Sequence, residues 1–433
     1  SHGGNFVQIY VVKAGDSLWS IGRRFGISAG EISRVNEIPN PNNLVIGQTM
    51  VIPSRTTRHV VRVGESFWSI AKAHGVRLQD LMAANPGVNP NQLRVGQIIQ
   101  VPITAAPSRV IEVNAYIDPA GTRDPLTPIR KTGRHLTYLT LFSYHVTPQG
   151  DITGPDDWSI INEARSMGTA PLLVVTNFDG TNFNADLAHS VMADPQIKER
   201  LIQNILNHLR TRRYHGLNID FERVKPEDRN LLNTFLMDLG TRMRSAGFSF
   251  STALAPKTSD WATGEWHGAH DYRAHGRAAD FVIIMTYEWG WSGGPPYAVA
   301  PIDKVKEVLD YAVTVIPRNK IMMGVPLYGY DWTLPYVRGG PFAKSISPQQ
   351  AIQIAASHGV SISYDTTHQS PYFRYTDGNG KRHEVWFEDA RSIDAKFKLV
   401  NQYGLRGVSY WVLGHEFPQN WLVLEGRFRV RKY

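Results

Sequence analysis

Gly216-Leu217-Asn218-Ile219-Asp220-Phe221-Glu222 is the stretch that decides the fold. Its period-two pleat puts Leu217, Ile219 and Phe221 on one face and Asn218, Asp220 and Glu222 on the other, the latter spaced roughly 6 to 7 Å apart. A strand buried on both faces is ordinarily apolar on both. Three polar groups on one face, two of them carboxylates that are costly to bury unpartnered, therefore mark either an ion-pair network with an arginine or an active site.

Working outward, seven more apolar runs share this strand's character: 110–117, 138–144, 171–177, 248–254, 281–287, 321–327 and 407–413. Helical patterns such as IKERLIQNILNHLRTRR and EDRNLLNTFLMDLGTRMRSAG separate them. Strands alternating with crossover helices predict a parallel sheet, and eight is the count for a closed (β/α)8 TIM barrel, whose chemistry sits at the C-terminal strand ends, where Glu222 falls. The long gap between the seventh and eighth runs contains two alternating stretches around Asp377-Gly378-Asn379-Gly380, which predicts a hairpin in a small α+β insertion walling the cleft.

The N-terminal hundred residues are a repeat. Gly15, Trp19, Asn36, Gly47 and Pro53 recur 49 positions later as Gly64, Trp68, Asn85, Gly96 and Pro102. Each copy reads βααβ. An alternating VVK or VVR run forms a strand, and Asp16/Ser17 or Glu65/Ser66 start a helix with Leu18, Ile21 and Phe25 at helical spacing. Gly26 or Gly75 ends it, a second helix covers 28–35 or 77–84, and VIP or VP closes the unit. Trp19 and Trp68 are expected in the cores. The expected units are 8–53, 58–102 and 108–433, joined by SRTTR and TAAPSR; Ser1-His2-Gly3-Gly4 reads as a cloning scar.

Of the 433 residues, 42% are hydrophobic and 19% charged, the composition of a folded protein rather than a disordered one. No apolar run approaches a membrane span, and the start lacks a secretory signal pattern. The chain has no cysteine, which excludes thiolate catalysis, disulfides and cysteine zinc sites; its fifteen histidines show no metal-ligand spacing, so neither metal nor cofactor is expected. A net charge of +8 favours polyanions, but the basic residues are scattered apart from RFRVRKY, so nucleic acid is not an expected partner.

The motifs GDSLWSI…IGQTMVIP and GESFWSI…VGQIIQVP resemble LysM modules. That resemblance implies binding of N-acetylglucosamine-containing glycans through Gly15, Asp16, Ser17, Leu18, Ile38 and Asn40, and through Gly64, Glu65, Ser66, Phe67, Gly87 and Val88, with backbone groups of the loops reading the sugar. The strand 216–222 resembles the DGxDxDxE signature of glycoside hydrolase family 18; Met285-Thr286-Tyr287-Glu288 is similar to that family's MxYD, and Ser409-Tyr410-Trp411 to its tryptophan-bearing strand. His215, Asn218 and Glu288 depart from the pattern, each replacing an Asp.

The resemblance implies a substrate-assisted, retaining N-acetylglucosaminidase. Glu222 would be acid then base, Asp220 and Tyr287 would hold the substrate's acetamido group, Asn218 would stand in the carboxylate row, and Trp411 would lie beneath the sugar. Met285, Glu288, Asn177, Tyr116, Tyr328 and Trp289 are expected around the cleft. The whole arrangement is similar to the cortical-fragment-lytic N-acetylglucosaminidases of spore-forming bacteria, implying a monomer in the spore acting on cortex peptidoglycan during germination. The alternatives are a chitinase or vegetative autolysin and, from another class, a catalytically silent glycan-binding protein.

Overall fold

A computed structural model describes residues 7–53, 56–103 and 107–433. The Ser1–Gly4 start and parts of both expected linkers, 54–55 and 104–106, lie outside the described residues. Strands are numbered along the chain. The first repeat pairs β1 (Gln8–Val11) with β2 (Thr49–Ile52), and the second pairs β3 (Thr56–Val60) with β4 (Ile98–Pro102), both antiparallel. The expected SRTTR linker is thus shorter than its letters, because Thr56, Thr57 and Arg58 are already in β3 and pair with Pro102, Val101 and Gln100.

In each repeat a serine caps the first helix reciprocally (Ser17 with Ser20, Ser66 with Ser69), and a left-handed glycine, Gly26 or Gly75, ends it. The second helices span Ala29–Asn36 and Leu78–Ala83. A buried asparagine then ties helix to sheet. The amide of Asn36 bonds Ile32 O, Val51 O and Val51 N, all at 2.8 Å, and Asn85 repeats the pattern on Leu81 and Gln100 at 2.7 Å.

The two tryptophans are not core residues. Trp19 is 65% exposed and Trp68 60%, each beneath a cation four residues on, Arg23 at 5.3 Å and Lys72 at 4.9 Å. Leu18 and Ile21, and Phe67 and Ile70, already fill the inward stripe, and a residue one step along a helix is turned about 100° away from it.

The remaining strands are β5 (Val110–Ile117), β6 (Tyr138–Val146), β7 (Ile152–Thr153), β8 (Ala170–Thr176), β9 (Gly216–Asp220), β10 (Ser249–Leu254), β11 (Phe281–Ile284), β12 (Ile321–Pro326), β13 (Gly329–Thr333), β14 (Lys344–Ile346), β15 (Ser363–Asp365), β16 (Ser370–Thr376), β17 (Arg382–Trp386), β18 (Gly407–Trp411) and β19 (Arg429–Val430). β5, β6, β8, β9, β10, β11, β12 and β18 are parallel neighbours and close on themselves through the β5–β6 pairing, the expected eight-stranded barrel. Several expected strands are too long at their C-terminal ends: β9 stops at Asp220, β11 at Ile284 and β18 at Trp411. Glu222 and the segment Met285–Glu288 therefore stand on the barrel rim, past the ladder.

Inside the barrel, neutral hydrogen bonds replace the ion pair considered for the polar row. Asn114 bonds Ser409 Oγ (3.0 Å) and Thr140 Oγ1 (2.5 Å), while the Asn218 amide donates to Ser251 Oγ (3.0 Å) and accepts from the Tyr116 hydroxyl (3.2 Å). The insertion is a five-stranded antiparallel sheet, β14-β13-β17-β16-β15, with the expected hairpin joining β16 to β17. Among the described residues, no helix is long and apolar enough to cross a membrane.

The first repeat is built onto the barrel. The Gln419 side chain donates to Thr49 O (2.7 Å) and Asn36 Oδ1 (3.0 Å), Arg391 donates to Gly47 O (3.1 Å), and Ile362 N donates to Ile46 O (2.8 Å). Val45 is buried with Ile346, Ala355, Ile362 and Phe373 in the core of the insertion. Gly47 and Gly96 give a matched test of this contact. Both have positive φ (+89° and +84°), but a Cβ on Gly47 would stand 2.0 Å from Ile362 O, whereas one on Gly96 meets nothing within 4 Å. Gly96→Ala is expected to cost about 1–2 kcal/mol of backbone strain. Gly47→Ala should cost clearly more and free the first repeat to proteolysis between repeat and barrel; equal losses in thermal melts would show that the Ile362 contact does not hold the units together.

Candidate active site

Glu222 is held by its backbone. Past the end of β9, the Asn177 side chain takes the place of a neighbouring strand: its Oδ1 accepts from Glu222 N (3.0 Å), and its Nδ2 donates to Glu222 O (2.8 Å) and Asn184 O (3.1 Å). Asn177 is fully buried and does not line the cleft, a correction to its expected place among the substrate-facing residues.

Burial, then the nearby charge of Glu222 and hydrogen bonding with it, hold Asp220 well above the usual carboxylate range. Burial also raises Glu222, while hydrogen bonds from Asp220 and from the Trp266 indole, whose Nε1 lies 3.0 Å from Oε1, and the more distant Arg223 cation pull it back. Asp220 Oδ1 is buried with no hydrogen-bond partner among the described residues.

Around this pair lies a cleft of about 280 Å³ lined by Tyr116, Phe142, Phe183, Trp266, Met285, Tyr287, Glu288, Tyr328, Tyr330, Ser345, Trp411 and His415. Tyr287 fits because β12 carries Gly324, where a Cβ would stand 2.8 Å from the tyrosine ring and 2.5 Å from Ile284 O. Trp411 packs 5.4 Å from Tyr116 and edge-on to Phe142 at 5.1 Å. Glu288 adopts φ +70°, a left-handed conformation that costs a non-glycine residue about 1–2 kcal/mol. Hydroxyls of Tyr328 (2.9 Å) and Tyr330 (3.0 Å) donate to its carboxylate, whose proton affinity burial raises.

Trp289 and Asn218 stand outside the cleft lining. Trp289 is half-buried against the barrel core, its backbone N–H donating to Val299 O, and Asn218 lies fully buried one pleat below Asp220. His215, at the opposite end of β9, packs on Tyr138 and Tyr433. Trp266, Tyr330, Phe142, Phe183, Ser345 and His415 were not singled out by the sequence. Trp261 and Trp266 in the segment after the fifth strand were an available signal, since that segment leaves a C-terminal strand end. A larger crevice, about 730 Å³, lies between the first repeat, the β3 strand of the second and the barrel, but its one carboxylate, Asp394, is already bonded by Arg427.

In the repeats, loop side chains turn inward. Asp16 accepts from Tyr10 OH (2.6 Å) and Lys13 N (2.7 Å), and Glu65 from Arg62 N (2.8 Å) beside His59. Leu18, Ile38 and Phe67 are buried, Ser17 and Ser66 cap helices, and the Asn40 amide bonds Asn43 O. Gly15, Gly64 and Gly87 keep positive φ, and Val88 N bonds Asn85 O.

Comparison with known proteins agrees with this geometry. The model for glycosyl hydrolases family 18 matches residues 116–416, and that for the LysM domain matches 10–53 and 59–102. The chain is 52% identical to the cortical fragment-lytic enzyme of Bacillus subtilis, over 98% of this chain and 99% of that one. The crystal structure of the Bacillus megaterium spore cortex-lytic enzyme SleL superposes with a TM-score of 0.93 at 42% identity, covering 99% of this chain and 100% of that chain. A chitinase from Chromobacterium violaceum shares 30% identity and a TM-score of 0.67 over 73% of this chain and 98% of its own. A two-carboxyl cleft at the mouth of an eight-stranded barrel, matched by family model and full-length relatives alike, places the chain in glycosyl hydrolases family 18 as a glycoside hydrolase.

Proposed function

We propose that the chain hydrolyses spore cortex peptidoglycan as an N-acetylglucosaminidase, cutting after N-acetylglucosamine in cortex fragments. The observation that carries the reaction type is the buried, unpartnered Asp220 Oδ1 beside a Glu222 whose proton affinity is raised. It is an acceptor set for one N–H donor, and the 2-acetamido group of the substrate supplies one. The polymer rests on the cortex-lytic relatives and on two glycan-binding repeats, 8–53 and 58–102, ahead of the catalytic unit 108–433, the first of them held on that unit. Internal use of the loop side chains leaves backbone groups around Gly15, Gly64 and Gly87 to read the sugar. The spore is the site of action that follows.

Substrate-assisted hydrolysis needs no enzyme nucleophile. Asp220 accepts the acetamido N–H, and the proton shared by the carboxyl pair moves to Glu222. Glu222 passes that proton to the glycosidic oxygen as the acetamido carbonyl oxygen closes on C1, giving an oxazolinium ion and a leaving alcohol. Tyr287 donates its hydroxyl to the acetamido oxygen, Asp220 balances the positive charge, and Trp411 supports the sugar face. Glu222, now a carboxylate, takes a proton from water as the water opens the ring with net retention.

Glu222→Gln should lower kcat by about 10²–10⁴-fold. Parent and variant are incubated with muramic-lactam-containing cortex fragments and with chitin, and new reducing ends are identified by mass spectrometry. New N-acetylglucosamine ends from cortex, formed by the parent alone, support the proposal. Binding without release by either protein would leave only a glycan-binding role.

Since Asn218 carries no carboxyl, the shared proton has only Asp220 and Glu222 to occupy. Asn218→Asp adds a third carboxyl in the buried row and should move the basic limb of the pH–rate profile upward by about one unit, because like charges raise proton affinity. An unchanged profile would count against the proton's confinement to the pair.

Asn177→Ala should cut kcat at least about 10-fold with little change in KM and cost about 1–3 kcal/mol of stability, since it releases Glu222's backbone and strands buried polar groups. A variant of parental kcat would remove Asn177 from any positioning role.

A further inference from the structure

The segment between β10 and the helix Tyr272–Ala278 touches the proposed acid once and the residue before it once. At its crest the Trp266 indole donates to Glu222 Oε1 (3.0 Å). Near its end, His270 Nδ1 accepts from Ala255 N (2.9 Å), so its Nε2 carries the hydrogen and donates to Phe221 O (2.8 Å), the carbonyl next to Glu222.

Beneath the loop lies Lys257, 1% exposed. Its ammonium donates to Trp261 O (2.5 Å) and His270 O (2.7 Å), the two feet of the loop that carries Trp266. Its own N–H is fixed by the Tyr272 hydroxyl (2.8 Å), which in turn donates to Ala255 O (2.6 Å). From the neighbouring helix Arg229–Ser245, Arg229 grips the same feet through Asp260 (2.5 Å) and Asp271 (3.3 Å). Burying an ammonium on carbonyls alone is expensive, and an apolar side chain of similar length would fill the space at lower cost. The cost makes sense if the two carbonyls have to be held together.

We propose that Lys257 is a positioning residue that draws the feet of the Trp261–His270 loop together and thereby holds the Trp266 N–H on the Glu222 carboxylate. This inference rests on the reading of Glu222 as the acid. A hydrogen bond donated to a carboxylate favours its charged form, so losing it makes Glu222 keep its proton to higher pH. The other titratable groups facing Glu222 are Asp220, Tyr116, Tyr287 and Arg223, and those facing Lys257 are Arg229, Asp260, Asp271, His267, His270, Tyr272 and His275.

The test is a double-mutant cycle on the full chain, reading the pH dependence of kcat/KM on cortex fragments for Trp266→Phe, Lys257→Met and the pair. Each single variant should move the basic limb upward by up to about one unit. The double variant should move it no further than Trp266→Phe alone, because that change already removes the one hydrogen bond through which Lys257 would act. A parental limb in Lys257→Met beside a shifted one in Trp266→Phe, or shifts that add, would overturn the proposal. Should Lys257→Met not fold, Lys257→Gln, with one amide nitrogen to reach two carbonyls, is read the same way: a limb shifted upward supports the clamp and a parental one overturns it. Glu222→Gln run alongside separates the two readings. If it is active, the acid assignment fails; if it is inactive while the Lys257 variant keeps the parental limb, only the clamp fails.

Discussion

Two carboxyl groups kept out of water at one strand end are the constraint on which the rest of the barrel mouth depends. Each is costly to ionise at that depth, and burial raises the proton affinity of both. The surroundings refine this balance. Asn177 fixes the Glu222 backbone without touching its carboxyl, Trp266 favours the ionised form from one side, and Tyr287 completes the wall where Gly324 leaves room. Low polarity raises the pair's proton affinity, and Asp220, the Trp266 N–H and the Arg223 cation offset part of that rise at Glu222.

The barrel interior directly below the pair is polar yet neutral, with the Arg406–Glu112 ion pair set apart at the far end of the barrel. Asn114, Thr140, Ser409, Asn218, Ser251 and Tyr116 satisfy one another in short hydrogen bonds. A neutral network supports the rim without a competing cation, which would have pulled the carboxyl pair toward full ionisation. Asn218 is the member that reaches closest to the pair along β9, and its amide gives the network both a donor and an acceptor at a position where a carboxyl would have brought another titrating group.

The two repeats share a fold and differ in attachment. Nearly the same backbone turn occurs at Gly47 and Gly96, but the first turn is pressed against Ile362 while the second faces open space. Val45, Ile46 and Gly47 are consumed in the contact with the insertion, so the first glycan-binding unit has a fixed bearing on the barrel. The second packs around its own core of Val61, Phe67, Ile70, Leu81 and Ile99.

Periodicity, by itself, determined much of this protein. Alternation of apolar runs and helical stripes was enough for eight parallel strands and two βααβ units, because each such element must bury one face and so writes its period into the chain. The polar row on β9 was legible for the same reason: Asn218, Asp220 and Glu222 break an apolar pattern on one face only. Contacts between segments remote in sequence were not legible. Trp19 and Trp68 have the composition of core residues, and only the packing of Leu18 and Phe67 turned them outward. Asn177 and Trp266 reach Glu222 across 45 and 44 residues, and Lys257 joins the feet of a loop that carries no periodic signal. A side chain's role at such a site depends on which atoms the tertiary fold brings within about 3 Å, and local spacing holds no information about that distance.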